Sequence, residues 1–128
     1  MIYGVGIDSV HVERMDKNIQ QYGDRFARKI LNNIELEQYK KSARPANFLA
    51  KHFAAKEAMS KALGTGFQNG ILLKNMTVIH DANGKPGISC EGKVKDLLSQ
   101  NQIGSSHLSI TDEKDYAFAC VVLEQVSI

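Results

Sequence analysis

Residues 45–63 read PANFLAKHFAAKEAMSKAL and run directly into the glycine-rich triplet at 64–66, GTG. Most of these residues are good helix formers, proline is favoured in a first turn, and glycine is favoured just after a last turn. At 100° per residue the apolar side chains form one broad arc. The stretch therefore predicts one long helix, in which Lys56 projects into the apolar arc and needs a polar partner or an outlet to water.

Shorter elements are expected on both sides of this helix. The patterns predict a strand at 2–7, helices at 11–22, 24–31 and 34–41, strands at 76–80, 87–90, 107–111 and 116–123, and a helix at 91–100. Asp24 and Asn33 are candidate caps of the second and third helices, and Asn83-Gly84 predicts a tight turn. Early helices followed by local hairpins indicate an α+β fold, with an antiparallel sheet packed on one long helix plus shorter N-terminal helices.

Length and composition fit one domain over residues 1–128. The chain is 43% hydrophobic and 23% charged, as in ordinary globular proteins, and its formal net charge of +2 is too small to indicate nucleic-acid binding by itself. Cys90 and Cys120 have no CxxC spacing, so we expect buried free thiols and a reducing compartment. Charged residues interrupt any apolar signal segment near the N-terminus. These features predict a cytoplasmic protein.

An aspartate, Asp8, stands at the end of the predicted first strand, after Gly4 and Gly6. Glycines within a strand often mark the close approach of another backbone or of a ligand. Magnesium usually takes one or two protein carboxylates together with substrate phosphates, so Asp8 is a candidate ligand. The alternative role for its carboxylate is a cap on the following helix.

Glu57 and Lys61 lie four residues apart on the long helix and therefore share one face. One interpretation is a surface ion pair worth about 0.3–0.5 kcal/mol. The other makes Glu57 the second carboxylate of a magnesium site with Asp8. Lys61, one turn before residues 64–66, would then place its ammonium beside backbone N–H groups that can bind phosphate.

Two further features allow a structural or a functional interpretation. His107 begins an apolar strand and is either a structural residue or an acid, base or phosphate partner that titrates near neutral pH. An early basic cluster is either a solvated helix face or a docking surface for an acidic partner. The cluster comprises Arg14, Lys17, Arg25, Arg28 and Lys29, followed by Lys40, Lys41 and Arg44.

Together these residues resemble the holo-acyl-carrier-protein synthases, the small bacterial group of 4′-phosphopantetheinyl transferases. IYGVGID at 2–8 is similar to the first motif of that family, which ends in a metal-binding aspartate. FAAKEAMSKALGTG at 53–66 resembles its signature helix. NGKP at 83–86 and HLSIT at 107–111 resemble its later segments. The resemblance extends in order over nearly the whole chain.

The resemblance implies an enzyme that transfers the phosphopantetheine group of coenzyme A to a serine hydroxyl of apo-acyl carrier protein. Adenosine 3′,5′-bisphosphate would be released, and the carrier protein would serve fatty acid biosynthesis. Magnesium would be held by Asp8 and Glu57, with Glu57 and Lys61 as catalytic residues. The implied coenzyme A contacts are Lys61, Gly64, Thr65, Gly66, Lys85, Pro86 and His107. The implied carrier-docking residues are Arg14, Arg25 and Arg28, and the implied assembly is a homotrimer with sites between subunits.

Two positions depart from the pattern of the family. His52 stands where arginine is common, and Asp112 stands where a histidine often follows the strand. Two rival functions are also open. A non-enzymatic module would bind RNA or an acidic protein through the early basic cluster, without magnesium. A metal-dependent phosphodiesterase would use water as the nucleophile and release free phosphopantetheine.

Overall fold

The computed structural model describes residues 1–65 and 73–126. The helices are α1 (Val12–Tyr22), α2 (Asp24–Ile30), α3 (Asn33–Lys40), α4 (Pro45–Leu63) and α5 (Gly92–Gln100), and a 3-10 turn spans Leu73–Asn75. The strands are β1 (Ile2–His11), β2 (Met76–His80), β3 (Pro86–Cys90), β4 (Ile103–Asp112) and β5 (Tyr116–Gln125). The predicted α+β class is confirmed. None of the described helices combines the length and the apolar character needed to cross a membrane.

The strands form two antiparallel sheets within the described part of the chain. One sheet has the order β1-β5-β4, and the other is the β2–β3 hairpin. β1 and β4 are both longer than predicted, because each pairs along nearly the full length of β5. The β1–β5 pairing joins residues more than one hundred positions apart, for example Asp8 and Ala119, so the local sequence pattern does not reveal it.

The core lies between α4 and one face of the three-stranded sheet. Leu49, Ala55 and Met59 on α4 and Val121 and Leu123 on β5 are fully buried. The opposite face of this sheet is open to solvent. The period-two alternation of β5 explains this asymmetry, since Ala117, Ala119, Val121 and Leu123 face α4 while the residues between them do not.

Two predicted helix caps are wrong. Asn32, not Asn33, caps α3, because its side chain accepts a hydrogen bond from the Glu35 N–H while the Glu35 carboxylate accepts the Asn32 N–H. Gly23 precedes α2 and Asp24 is the first residue of that helix. The predicted end of α4 is confirmed, with Gly64 in the left-handed conformation (φ 83°). Cys90 and Cys120 are free thiols, as expected, although only partly buried.

Candidate active site

The C-terminal half of α4 lies against the stretch of β1 that contains Gly4, Gly6 and Asp8. There the Lys61 ammonium donates hydrogen bonds to Asp8 Oδ1 at 2.9 Å and to the Ile7 carbonyl oxygen at 3.1 Å. The Asp8 side chain is 15% exposed and that of Lys61 is 51% exposed. The structure therefore brings together two of the predicted site residues, 53 positions apart. Asp8 lies within β1 and not at its predicted end, because the strand continues to His11.

Glu57 belongs to the same electrostatic cluster. Partial burial raises the pKa of its carboxyl group above the ordinary value of 4.5, and the negative charge of Asp8 raises it further. The positive charges of Lys61 and Arg14 act in the opposite direction on this pKa. Lys61 is paired with Asp8, and among the described residues no ion pair joins Glu57 to Lys61. The simple surface pair considered from the sequence is therefore absent.

The donor set of this cluster fits a magnesium ion. Asp8 on β1 and Glu57 on α4 affect each other electrostatically, and the side chain of Asp8 is 15% exposed. Among residues 1–65 and 73–126 no group of three or more His, Cys, Asp or Glu side chains could hold a metal. A pair of carboxylates leaves most of the coordination to water and phosphate oxygens, which is the usual arrangement for magnesium.

The turn after α4 is only partly described. The Gly64 N–H donates to the Ser60 and Lys61 carbonyl oxygens, so this amide is used by the helix cap and is not available to a phosphate. Thr65 is half-buried and follows directly. Gly66, the third predicted residue of this turn, lies outside the described residues.

Lys85 and Pro86 belong to the hairpin between β2 and β3. The Asp81 carboxylate accepts hydrogen bonds from the Asn83 and Lys85 N–H groups, at 2.8 and 2.9 Å, which fixes the predicted turn. Pro86 lines a cavity of about 240 Å³. The other lining residues are Phe48, Lys51, His52, Val78, His80, Gly84, Ile110 and Asp112.

This cavity, named here the hairpin cavity, is separate from the Asp8–Glu57–Lys61 cluster. It lies beside the N-terminal half of α4, and neither Glu57 nor Lys61 lines it. His52 and Lys61 are nine positions apart, which is roughly 13 Å along a helix axis. Within one chain Pro86 and Lys61 therefore lie beside different parts of α4.

His107 also lies away from that pair. It stands opposite Val122 on the sheet face that is open to solvent, whereas Asp8 stands opposite the buried Ala119. Its Nε2 atom contacts Glu124 Oε1 at 2.5 Å. The two side chains therefore project from opposite faces of one sheet, so His107 does not reach the carboxylate pair of its own chain.

His52 does not replace the charge of an arginine. Its ring stacks on Phe48 with centroids 4.0 Å apart, and Nδ1 donates to the Phe48 carbonyl oxygen at 2.8 Å. Burial lowers the pKa of His52 to about 4, so the ring is neutral near pH 7. Asp112, the second departure, accepts a hydrogen bond from Asn47 and has Lys51 Nζ at 4.0 Å from Oδ1.

Lys51 is a residue that the sequence analysis missed. It lines the hairpin cavity, its side chain is 38% exposed, and Asp112 is its counter-ion. Lys51 directly precedes His52, so a positive charge next to His52 could have been recognised from the sequence. Its orientation into the cavity depends on the position of β4, which the local sequence does not show.

The early basic cluster is next to the carboxylate pair. The Arg14 guanidinium lies 5.9 Å from the centroid of the Phe53 ring and lowers the pKa of Glu57. Arg25 lines a second cavity, of about 280 Å³, between α1 and α2. The other lining residues are Asn18, Tyr22, Phe26 and Lys29. Arg28 is exposed on α2.

Residues 4–121 match the family model described as the 4′-phosphopantetheinyl transferase superfamily. The chain belongs to this superfamily. A holo-[acyl-carrier-protein] synthase of Vibrio cholerae serotype O1 (strain ATCC 39541) is 49% identical over 125 residues, covering 98% of this chain and 99% of the relative. The resemblance inferred from the sequence is thus confirmed, and a non-enzymatic module is not favoured for this transferase.

Two solved structures support the same assignment for this transferase. The holo-[acyl-carrier-protein] synthase of Neisseria meningitidis has a TM-score of 0.92 and 39% identity, with coverage of 98% of this chain and 100% of the other. That of Bacillus anthracis, in complex with CoA (3′,5′-ADP), has a TM-score of 0.82 and 36% identity, with coverage of 98% and 99%. Fold and family therefore agree over almost the entire length.

Proposed function

We propose that this transferase moves the phosphopantetheine group of coenzyme A to a serine of acyl carrier protein in a magnesium-dependent reaction. The observation that carries the proposal is the ion pair of Asp8 with Lys61, beside which the charge of Asp8 raises the pKa of Glu57. The names of the relatives and the complex of the Bacillus anthracis protein with CoA (3′,5′-ADP) support the choice of substrates.

Asp8 and Glu57 would hold the magnesium ion, which supplies positive charge to the pyrophosphate that is cleaved. Lys61 would donate hydrogen bonds to phosphate oxygens and stabilise the negative charge of the leaving 3′,5′-bisphosphate. Glu57 would also be the group nearest to accept the proton of the attacking serine hydroxyl. The oxygen of that serine forms the new bond to phosphorus as the bond to the bisphosphate breaks.

The hairpin cavity would receive the nucleotide end of coenzyme A. Its apolar lining includes Phe48, Pro86 and Ile110, which suit a base, while Lys51 offers a cation for phosphate. The proposed coenzyme A contacts are completed by Lys85, Thr65, Gly66 and His107, and by atoms of Gly64 other than its N–H. Since His107 and Pro86 lie away from Lys61 in one chain, each complete site would combine residues from two subunits.

The proposed homotrimer would assemble through the open face of the three-stranded sheet. Large apolar side chains are exposed on it, with Val5 57%, Ile7 66% and Phe118 38% exposed. Such a contiguous apolar surface is costly in water and favours contact with another protein surface. His107 projects from the same face, so self-association through this face would carry His107 towards a neighbouring subunit.

Arg14, Arg25 and Arg28 would dock the acidic carrier protein. They lie on the first two helices, and Arg14 approaches Glu57 closely enough to affect its pKa. A carrier bound there would present its serine next to the carboxylate pair. The free cysteines agree with the proposed cytoplasmic location, where carrier proteins of fatty acid biosynthesis would be met.

The transfer is tested by mass spectrometry of apo-carrier protein incubated with coenzyme A, with and without magnesium. We expect one phosphopantetheine per carrier with magnesium, and none with EDTA or with the Asp8→Asn or Glu57→Gln variant. Glu37→Gln, at an exposed glutamate on α3, is the matched control and should remain active. Transfer by Glu57→Gln at the wild-type rate would remove Glu57 from the mechanism, and free phosphopantetheine without modified carrier would identify a phosphodiesterase.

Assembly is tested separately by sedimentation equilibrium. Ile7→Lys should dissociate the trimer, whereas Ile34→Lys on α3 should leave it intact. The comparison is matched, because Ile7 is 66% and Ile34 is 65% exposed in the single chain. A monomeric wild-type protein, or a trimeric Ile7→Lys variant, would contradict the proposed interface.

A further inference from the structure

A fully buried ion pair joins α3 to α4 behind the hairpin cavity. Lys56 and Glu35 are both 0% exposed, with Lys56 Nζ 2.6 Å from Glu35 Oε1. Lys56 Nζ also donates to the Ile30 carbonyl oxygen at 2.7 Å. Neither residue belongs to the proposed metal site, coenzyme A contacts or docking surface.

Stability alone does not account for such a pair. Removing two charges from water is costly, and replacing a buried pair by apolar residues of similar volume is often neutral or stabilising. Buried polar groups with several directional partners do fix the relative positions of the elements that carry them. The partners of this pair therefore indicate what it positions.

Two residues next to Glu35 belong to two walls of the hairpin cavity. Glu35 Oε2 accepts the Val78 N–H at 2.9 Å, and it lies 3.9 Å from His52 Nε2 without a hydrogen bond between them. Val78 is on β2 and His52 is on α4, and both residues line the cavity. Glu35 thus lies between the hairpin wall and the helix wall, while Lys56 holds Glu35 to α4.

The hairpin has few other polar connections to the helices. No backbone ladder joins β2 or β3 to the three-stranded sheet within the described residues. Besides Glu35, Asn32 donates from its amide to Thr77 Oγ1 at 2.6 Å and to the Met76 carbonyl oxygen at 3.5 Å. Asn32 is itself held by Glu35 through the capping box of α3.

We propose that Lys56 and Glu35 are positioning residues that hold the β2–β3 hairpin against α4 and thereby set the width of the hairpin cavity. The proposal rests on the proposed role of that cavity and of Lys85 and Pro86 in binding coenzyme A. The Asp8–Glu57 meeting depends on the direct contact of β1 with α4 and not on the hairpin. The Lys56–Glu35 pair therefore governs the KM for coenzyme A and has little effect on kcat.

The test compares Lys56→Met, Glu35→Gln and the double variant with wild-type protein. Each single change leaves one buried charge without its partner and should lower the midpoint of denaturation, whereas the double variant should recover part of that loss. The amide that replaces the Glu35 carboxylate in the double variant can still accept the Val78 N–H, but Lys56→Met removes the hydrogen bond that anchors this side chain to α4. Kinetics are measured below the melting range with saturating carrier and magnesium.

We expect the double variant to raise the KM for coenzyme A about tenfold, as when one hydrogen-bonded contact is lost, with kcat within about twofold of wild type. Ser60→Ala is the control, because Ser60 is 1% exposed and its hydroxyl donates only within α4, to the Lys56 carbonyl oxygen. It should leave both constants unchanged. A double variant with the wild-type KM, or one in which kcat falls with the magnesium affinity, would overturn the positioning role.

Hydrogen exchange separates this inference from the proposed function. In the double variant, peptides covering residues 76–90 should exchange faster, while peptides of β1 and β5 should exchange as in wild type. Unchanged exchange of the hairpin would refute the proposal directly. An unchanged KM for coenzyme A in Lys85→Ala would instead refute the coenzyme A role of Lys85, and the exchange result would still decide whether the pair holds the hairpin.

Discussion

Gly6 of β1 lies directly against the backbone carbonyl of Ala58 in α4. A Cβ atom at Gly6 would overlap the Ala58 oxygen, far inside the 3.0 Å that real Cβ atoms keep, and one at Gly4 would overlap the Ala62 oxygen. The two glycines allow the strand to lie on the helix backbone without intervening side chains. This close approach brings Asp8, two residues after Gly6, to the turn of α4 that carries Lys61.

Gly6→Ala should separate β1 from α4. We expect the free energy of unfolding to fall by about 3 kcal/mol, which is at the upper end of the usual cost of overpacking. The cost is high because the atoms in the way belong to the backbone and cannot rotate aside. Phosphopantetheine transfer should fall with it, since Asp8 moves away from Glu57. Denaturant titration and the transfer assay measure these effects. Gly87→Ala is the matched control, as its Cβ would lie 3.6 Å from Ile79, an ordinary contact; equal stability of the two variants would contradict the argument.

Glu57→Gln should stabilise the metal-free protein near neutral pH while abolishing transfer. Partial burial and the Asp8 charge raise the native pKa of Glu57 above the ordinary 4.5. The native state therefore binds this proton more tightly than the unfolded chain does. The stability that the protonated Glu57 contributes is present below the unfolded pKa and is lost as the pH rises through the native pKa. Melting curves in EDTA from pH 4 to 7.5 should show that the stability of the variant increases relative to that of wild type as the pH rises. A constant difference across that range would refute the shift.

His52→Phe should make the protein less sensitive to acid. The pKa of His52 is about 4 in the native state because of burial, against an ordinary value of 6.5. The unfolded chain therefore binds the extra proton first, and wild-type stability falls by about 3 kcal/mol as pH drops from 6.5 to 4. The variant keeps an aromatic ring on Phe48 but lacks this titration. Denaturation at several pH values measures the effect, and His11→Gln, at an exposed histidine, should keep the wild-type slope.

Arg25→Glu should weaken the docking of the carrier protein. Reversing this charge opposes the electrostatic attraction that speeds encounter with an acidic partner, so the carrier KM should rise about tenfold at low salt. The effect should shrink at high ionic strength because of screening. Steady-state kinetics at two salt concentrations measure it, with Lys95→Glu on the exposed face of α5 as control. A rise in the KM for coenzyme A instead would place Arg25 in the nucleotide site.

Some parts of the candidate site were accessible from the sequence and others were not. The glycines at alternate positions of the first strand indicated close approach of another backbone or a ligand, and the structure places that strand on α4 with Asp8 beside Lys61. The partner of Lys56 was not predictable. Glu35 is 21 residues away on a short helix, and only the packing of α3 on α4 brings the two together.

Local sequence patterns were sufficient to establish the order of helices and strands, the end of α4 at Gly64, the hairpin turn before Pro86 and the family. The secondary-structure features depend on helix and strand periodicity and on glycine conformation, which act over a few residues. The family depends on motifs and their order, which can be read directly from the sequence. The folded chain was needed to show that His107 and Asp8 project from opposite faces of one sheet. It also placed the hairpin cavity on the far half of α4, because strand register and helix packing arise from contacts between distant segments.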